Sequence, residues 1–226
     1  MTRHSLRRTA SLGLFAGPLL FSLGDLLRRL VTPSGNPSTS QLTDAVGDHV
    51  GMWLAAGLLS VVAAPLIVVG AIGLTVEARG RGGRTTTIGA GLVLAGAFAS
   101  VGHAVAFYAP YALYARAGTP SSAMQSLDHA SEGYPLLVVL IALFIVGMML
   151  GSIVLLVGLR LARRVPVWSV VASVVFVIAG SSGGVAAGLV GLLAALAAFG
   201  PAARALAHEG HPVSPGLESH AATLPG

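Results

Sequence analysis

Two long stretches without a charged residue, joined by a short basic loop, leave this chain few ways to fold. Gly51–Val76 carries no charge, and neither does Thr87–Tyr108. Between them lies Glu77-Ala78-Arg79-Gly80-Arg81-Gly82-Gly83-Arg84. A helix crossing the hydrocarbon of a bilayer needs roughly 20 apolar residues, and each run supplies them. Arginines concentrate in cytoplasmic loops, so the loop is expected inside and orients the rest of the chain. Of the 226 residues, 54% are hydrophobic and 9% charged, where soluble domains carry about 25% charged residues. The expected class is all-α: a polytopic transmembrane helix bundle, one domain over residues 1–206, with a disordered tail at 207–226.

The remaining spans follow from the same pattern. The first is expected at about 10–27, retained as a helix rather than cleaved as a signal peptide. After its apolar run comes Gly24-Asp25-Leu26-Leu27-Arg28-Arg29, with no small-residue cleavage site. The second is expected at 50–76, the third at 87–108 and the fourth at 134–159. Polar segments at 31–47 and 115–133 read as external loops. Trp53 and the run Phe107-Tyr108-Ala109-Pro110-Tyr111 read as aromatic residues at the membrane interface. Val165–Phe199 is too long for one ordinary span and short for two. Ser181-Ser182-Gly183-Gly184 in its middle permits a tight turn, giving spans at 165–181 and 185–206 and six crossings in all; the alternative is five. Six put Arg204 inside and leave only Arg28, Arg29 and Arg116 outside, the better fit to the arginine bias. Both termini are then cytoplasmic.

A weak repeat runs through this plan. Ser22-Leu23-Gly24-Asp25, Ser100-Val101-Gly102-His103 and Ser181-Ser182-Gly183-Gly184 occupy similar places in the first, third and fifth spans. Gly73-Leu74 and Gly158-Leu159 precede Ala78-Arg79 and Ala162-Arg163 in the returning spans. The pattern suggests three tandem in-out-in hairpins.

Ionisable residues inside a span are expensive and mark candidate sites. Asp25 and His103 each lie about 16 or 17 residues from the inner start of their helix, a depth of ~25 Å. They are the candidates for a ligand site or proton relay, facing one another in the outer leaflet. Asp48, His49, Asp128, His129 and Glu132 follow at the mouths of neighbouring helices, and with His103 are the metal candidates. Imidazole with carboxylate suits zinc or another divalent metal; two histidines at one depth suit haem. A structural reading stands beside these. Asp25 can pair with Arg28 or Arg29 one turn on, and the loop residues can be solvated. The tail holds His208-Glu209-Gly210-His211 and His220, but the second histidine comes one residue too early for the helical zinc-protease motif.

Other classes drop out. Cysteine is absent, which removes disulfides and thiolate chemistry. The formal charge of +5 is spread over helix ends, not along one face, and does not describe a nucleic-acid surface. No phosphate loop, dinucleotide fingerprint or nucleophile elbow occurs, and no catalytic residue is nominated. The expected partners are the lipid bilayer and a second copy or another membrane protein. Lysine is absent and Ala, Gly, Val and Leu abound, which suggests a high-GC bacterial gene and an inner membrane. The Val165-Pro166-Val167-Trp168 step and the Gly24-Asp25-Leu26-Leu27-Arg28 helix end resemble those of small multi-span membrane proteins of high-GC actinobacteria. That resemblance implies a membrane bundle and carries no activity with it. The sequence reading is therefore a non-enzymatic, accessory or small-ligand-binding bundle. Its alternatives are a proton- or ion-coupled transporter and a membrane-embedded metal or haem protein.

Overall fold

A computed structural model describes residues 3–208; the tail expected to be disordered beyond His208, with His211 and His220, lies outside the described residues. Among the described residues every regular element is a helix. The order is α1 (Arg3–Val31), α2 (Thr39–Asp48), α3 (Val50–Glu77), α4 (Gly83–Ala117), α5 (Ser121–Glu132), α6 (Pro135–Ile145), α7 (Gly151–Leu161), α8 (Val167–Ser181) and α9 (Val185–His208). A π-helical turn, Val146–Leu150, joins α6 to α7, so the two form one rod. Five helices are long and apolar enough to cross a membrane: α1, α3, α4, the α6–α7 rod and α9. The apolar helix α8 is shorter, at 15 residues. Large apolar side chains face outward on several helices, among them Leu58, Phe98, Leu136, Ile178 and Leu193. Such a surface suits lipid and would be a liability in water.

The helices stand in a ring. α1 packs along α3, α3 along α4, and α4 along the α6–α7 rod; α7 meets α8, α8 lies along α9, and α9 returns to α1. Neighbours run antiparallel: Gly13 of α1 sits at Gly70 of α3, while Gly24 sits at Ala56. The same holds for α4, where Gly96 meets Gly147 and Gly89 meets Leu155. The pairs α1–α3, α4–α7 and α8–α9 are thus three consecutive hairpins.

Small residues make the first two hairpins close-fitting. A Cβ placed on Gly70 would come within 2.6 Å of the Leu14 nitrogen, and one on Gly147 within 2.5 Å of the Gly96 Cα. Gly73 rests on Ala10, and Gly151 on Leu92 and Val93. Without a hydrophobic force between helices in lipid, this close backbone approach is what drives their association. At the basic end, Gly82 adopts φ +81° and packs against the end of α7. A side chain would be strained there and would also collide. Arg7 reaches from α1 to Glu77 with two hydrogen bonds of 3.0 and 2.9 Å. Arg164 donates to the Glu77 carbonyl at 2.9 Å.

The opposite end departs from the sequence reading. The two segments expected as loops contain α2 and α5. α2 begins with a capping box: Ser38 Oγ accepts from the Gln41 amide while Gln41 Oε1 accepts from the Ser38 amide. These interactions satisfy two of the donors a helix start leaves unpaired. α4 runs nine residues past the expected Tyr108 boundary, to Ala117, and α2 packs on it and on α5. Leu42 and Val46 of α2 and Met124 of α5 are buried in this cap. Trp53, Tyr108 and Tyr111 are correspondingly not an interfacial belt. Trp53 is 0% exposed, its indole N–H donates to the Tyr108 carbonyl at 2.9 Å, and its ring packs 4.9 Å from that of Tyr108. A buried indole requires such an acceptor, and the cap that α2 and α5 provide is what removes these rings from the surface.

Candidate functional site: a central cavity with a charged end

Inside the ring, towards the capped end, lies a cavity of about 290 Å³. All three hairpins line it. α1 contributes Phe21, Ser22, Asp25 and Arg28; α4 contributes Ser100, His103, Phe107 and Tyr108; Ser60 comes from α3. Phe144 of α6, Met148 and Met149 of the π turn, Phe176 of α8 and Gly191 of α9 complete the wall. The π turn does two things at once. Gly147 touches α4 at Gly96, and the following methionines face the cavity. Such turns are frequent at functional sites.

The walls are mostly apolar and aromatic. Phe21 lies 5.9 Å from Phe144, ring to ring. His103 stacks on Phe144 at 5.0 Å and on Phe107 at 5.9 Å, nearly parallel to both. Ser22, Ser60 and Ser100 each return their hydroxyl proton to a carbonyl of their own helix, at 2.8, 3.0 and 2.7 Å. This leaves their oxygen lone pairs as the polar feature they offer.

Charge gathers at one end. Asp25 Oδ1 accepts from Arg28 at 2.7 and 3.1 Å, and Oδ2 accepts from Arg29 Nε at 2.6 Å. One carboxylate therefore serves two guanidiniums. They are not equivalent. Arg29 is 2% exposed and its remaining donors are all engaged. Nη1 donates to the carbonyls of Ser182 and Gly184, and Nη2 to those of Ala179 and Gly180. These carbonyls are the C-terminal end of α8 and the turn after it, where a helix leaves acceptors without intrahelical partners and the dipole favours a cation. Arg29 is thus a strut from α1 to the α8–α9 hairpin. Arg28 lines the cavity.

The expected pairing of Asp25 with His103 is met only in part. Both side chains line the one cavity, but no hydrogen bond or ion pair joins them. The Asp25 oxygens are held by the arginines, as the structural reading of this residue has it, and the imidazole lies among phenylalanines. The other metal candidates do not gather around them. Asp48 and His49 are exposed at the α2–α3 corner. Asp128 accepts from Thr39 Oγ1 at 2.7 Å, tying α5 to α2. His129 and Glu132 are 3.6 Å apart on the exposed face of α5. Among the described residues no three histidine, aspartate or glutamate side chains lie together in a way that would hold a metal. The π turn and the Arg29 strut are the site features that sequence reasoning missed. Gly147-Met148-Met149 does not announce a change of helix type, and an arginine at a helix end reads as an interfacial anchor.

This arrangement defines an all-helical bundle with the character of a multi-pass membrane protein and an internal site that is apolar along its walls and charged at one end. No protein-family model, curated protein or solved structure matches the chain.

Proposed function

We propose that the protein is a multi-pass inner-membrane protein that crosses the bilayer six times, with both termini in the cytoplasm, and holds a small amphiphilic molecule in its central cavity. The cavity is the observation that carries this reading. Pockets for small molecules are largely apolar, with a few polar groups that fix orientation, and span about 300–1,000 Å³. The volume of about 290 Å³ sits at the small end of that range. An apolar or aromatic body fits among Phe21, Phe107, Phe144 and Phe176. A hydrogen-bond acceptor or an anionic group fits against Arg28, because Asp25 balances only one of the two guanidiniums.

The sixth crossing is supported by the strut. At 1.5 Å per residue, α8 rises only about 22 Å, short of the ~30 Å hydrocarbon core. Backbone carbonyls that end inside that core must find partners within the protein. Arg29 provides them, so the turn that links this short helix to α9 can be buried against the outer end of α1. The same arginine then ceases to be an exception to the positive-inside pattern, since it is internal.

Native mass spectrometry of the protein released from mild detergent tests the ligand reading. Wild type should retain a small molecule, and Gly191→Leu, which projects into the cavity, should lose it while staying folded. Empty wild-type protein, or equal retention by the variant, contradicts the reading. A reporter fused after His208 tests the topology: it should report from the cytoplasm, and activity on the outside would replace six crossings with five.

A further inference from the structure

The ring is not closed along its whole height. α8 has 15 residues and ends beside the π turn, where Ser181 Oγ stands 3.7 Å from Met149 Sδ. The rod continues past that point as α6, which packs along α4 and has no buried residue. A gap is thus left between α6 and the α8–α9 turn, on the capped side of Met149. The central cavity reaches it: Met149 and Gly180 both line the cavity, and Gly180 is exposed. A Cβ on Gly180 would meet nothing within 4 Å. Val146, Leu150 and Ile178 flank this mouth and are all exposed, so it opens among the outward-facing apolar side chains. Inside, Arg28 spends Nε and Nη2 on one oxygen of Asp25; among the described residues no hydrogen bond runs from its Nη1. Asp25 is the one carboxylate lining the cavity and faces both Arg28 and Arg29, which leaves one positive charge unbalanced.

Resting on the reading of this cavity as a ligand site, we propose that its occupant is a single-chain lipid carboxylate, a fatty acid, which enters sideways from the bilayer through this mouth. The carboxylate accepts from Arg28 Nη1, and the chain lies among Phe21, Phe144 and Phe176 and leaves past Met149. Charge and size together select this class. A guanidinium–carboxylate pair is among the strongest of hydrogen-bonded contacts, and an unbalanced charge weighs more in a low-dielectric interior than in water. A neutral amphiphile would leave that charge unanswered, and a small aqueous anion would have no use for the phenylalanine walls. The volume of about 290 Å³, at the small end of ligand pockets, has no room for a lipid with two chains.

Tryptophan quenching by a fatty acid brominated in mid-chain, in phosphatidylcholine nanodiscs, tests the proposal. Of the two tryptophans, Trp168 is exposed and is removed as Trp168→Phe. Trp53 is fully buried, and its ring lies 5.2 Å from that of Phe107, which lines the cavity. Bromine quenches only at short range, so loss of Trp53 emission reports a ligand inside the bundle. Above the pH at which the fatty acid ionises, the acid should half-quench at a mole fraction on the order of ten-fold below that of its methyl ester. Arg28→Gln should erase that preference while the ester curve stays where it was, the sign of an intact cavity; Arg28→Lys should keep most of it. Gly180→Phe fills the mouth and should slow the onset of quenching without moving its half-point. Equal half-quenching by acid and ester, or a preference that survives Arg28→Gln, overturns the anionic ligand, and the acid–ester comparison decides even where a variant fails to fold. An unchanged rate in Gly180→Phe overturns the sideways entry. Quenching by neither compound overturns the proposal as a whole, while a molecule still retained by wild type in native mass spectrometry would leave the cavity reading standing.

Discussion

Between α1 and α3, and again between α4 and the α6–α7 rod, glycines let one backbone rest on the other. Between α1 and the α8–α9 hairpin, an arginine adds a directional tie to the apolar packing of Ala10 and Leu14 in one core with Ala198, Ala202 and Leu206. The glycine seams are dense and undirected: many van der Waals contacts, each small, that depend on the absence of side chains. The strut is sparse and directional: one side chain, one carboxylate and four carbonyls. The consequence is visible in the interior. Where glycines set the spacing, at Gly70 and Gly96, no space remains. Where the third hairpin is held off by Arg29 and by phenylalanines, a cavity opens, and a Cβ on Gly191 would meet only the Ala179 Cβ, at 3.6 Å. Ser11 Oγ donating to the Ala203 carbonyl at 2.7 Å adds one more directional tie between α1 and α9.

Removing the strut should have the largest effect. Arg29→Leu leaves the α8 carbonyls without donors and Asp25 with one partner fewer. Breaking a buried charged network from one side costs about 3–5 kcal/mol, and thermal unfolding in mild detergent should show a correspondingly large loss. Arg29→Lys keeps the charge but cannot reach four carbonyls and a carboxylate at once, so it should recover only part. Stability of Arg29→Leu equal to wild type would mean that α9 packing alone seats the third hairpin.

Breaking a glycine seam comes next. Gly96→Leu drives a side chain into Gly147 and the Met148 nitrogen. Overpacking of this kind costs typically 1–3 kcal/mol, and because it strikes at the π turn it should also alter the cavity. An unchanged melting temperature would show that the seam yields easily.

The smallest effect expected is at the cap. Trp53→Phe keeps most of the ring but loses the hydrogen bond to the Tyr108 carbonyl, worth about 0.5–1.5 kcal/mol. The drop in melting temperature should be modest, with the helical far-UV signal intact. A loss as large as that of Arg29→Leu would make the cap, not the strut, the main tie at this end.

The fold was legible where it depends on the length and polarity of runs. The uncharged stretch Gly51–Val76 and the turn at Ser181–Gly184 both correspond to what the structure contains, because a lipid-facing helix has no other composition available to it. Gly70, Gly73, Gly147 and Gly151 stand at helix contacts because small residues let helices approach closely in lipid. α2 and α5 were not read, although Ser38 and Gln41 stand at capping-box spacing; polar segments with prolines resemble loops until something is present for their apolar residues to cover. The cavity was half legible. Asp25 and His103 stood out as ionisable residues at one depth, and both line it. Their partners did not follow from depth, because Arg29 is joined to carbonyls some 150 residues away and Phe144 to His103 across 41 positions. Such contacts follow from ring closure, and no local pattern encodes them.

The contrast between seam and cavity is tested most directly by placing the same substitution in each. Gly70→Leu and Gly191→Leu should be compared by thermal unfolding in one detergent. Gly70→Leu should lower the melting temperature, since its Cβ would come within 2.7 Å of the Leu14 Cα. Gly191→Leu should leave it unchanged or raise it, since the added side chain enters open space. Equal destabilisation by the two would contradict the account, because it would mean that the third hairpin is as closely packed as the first and that the interior holds no room for a ligand.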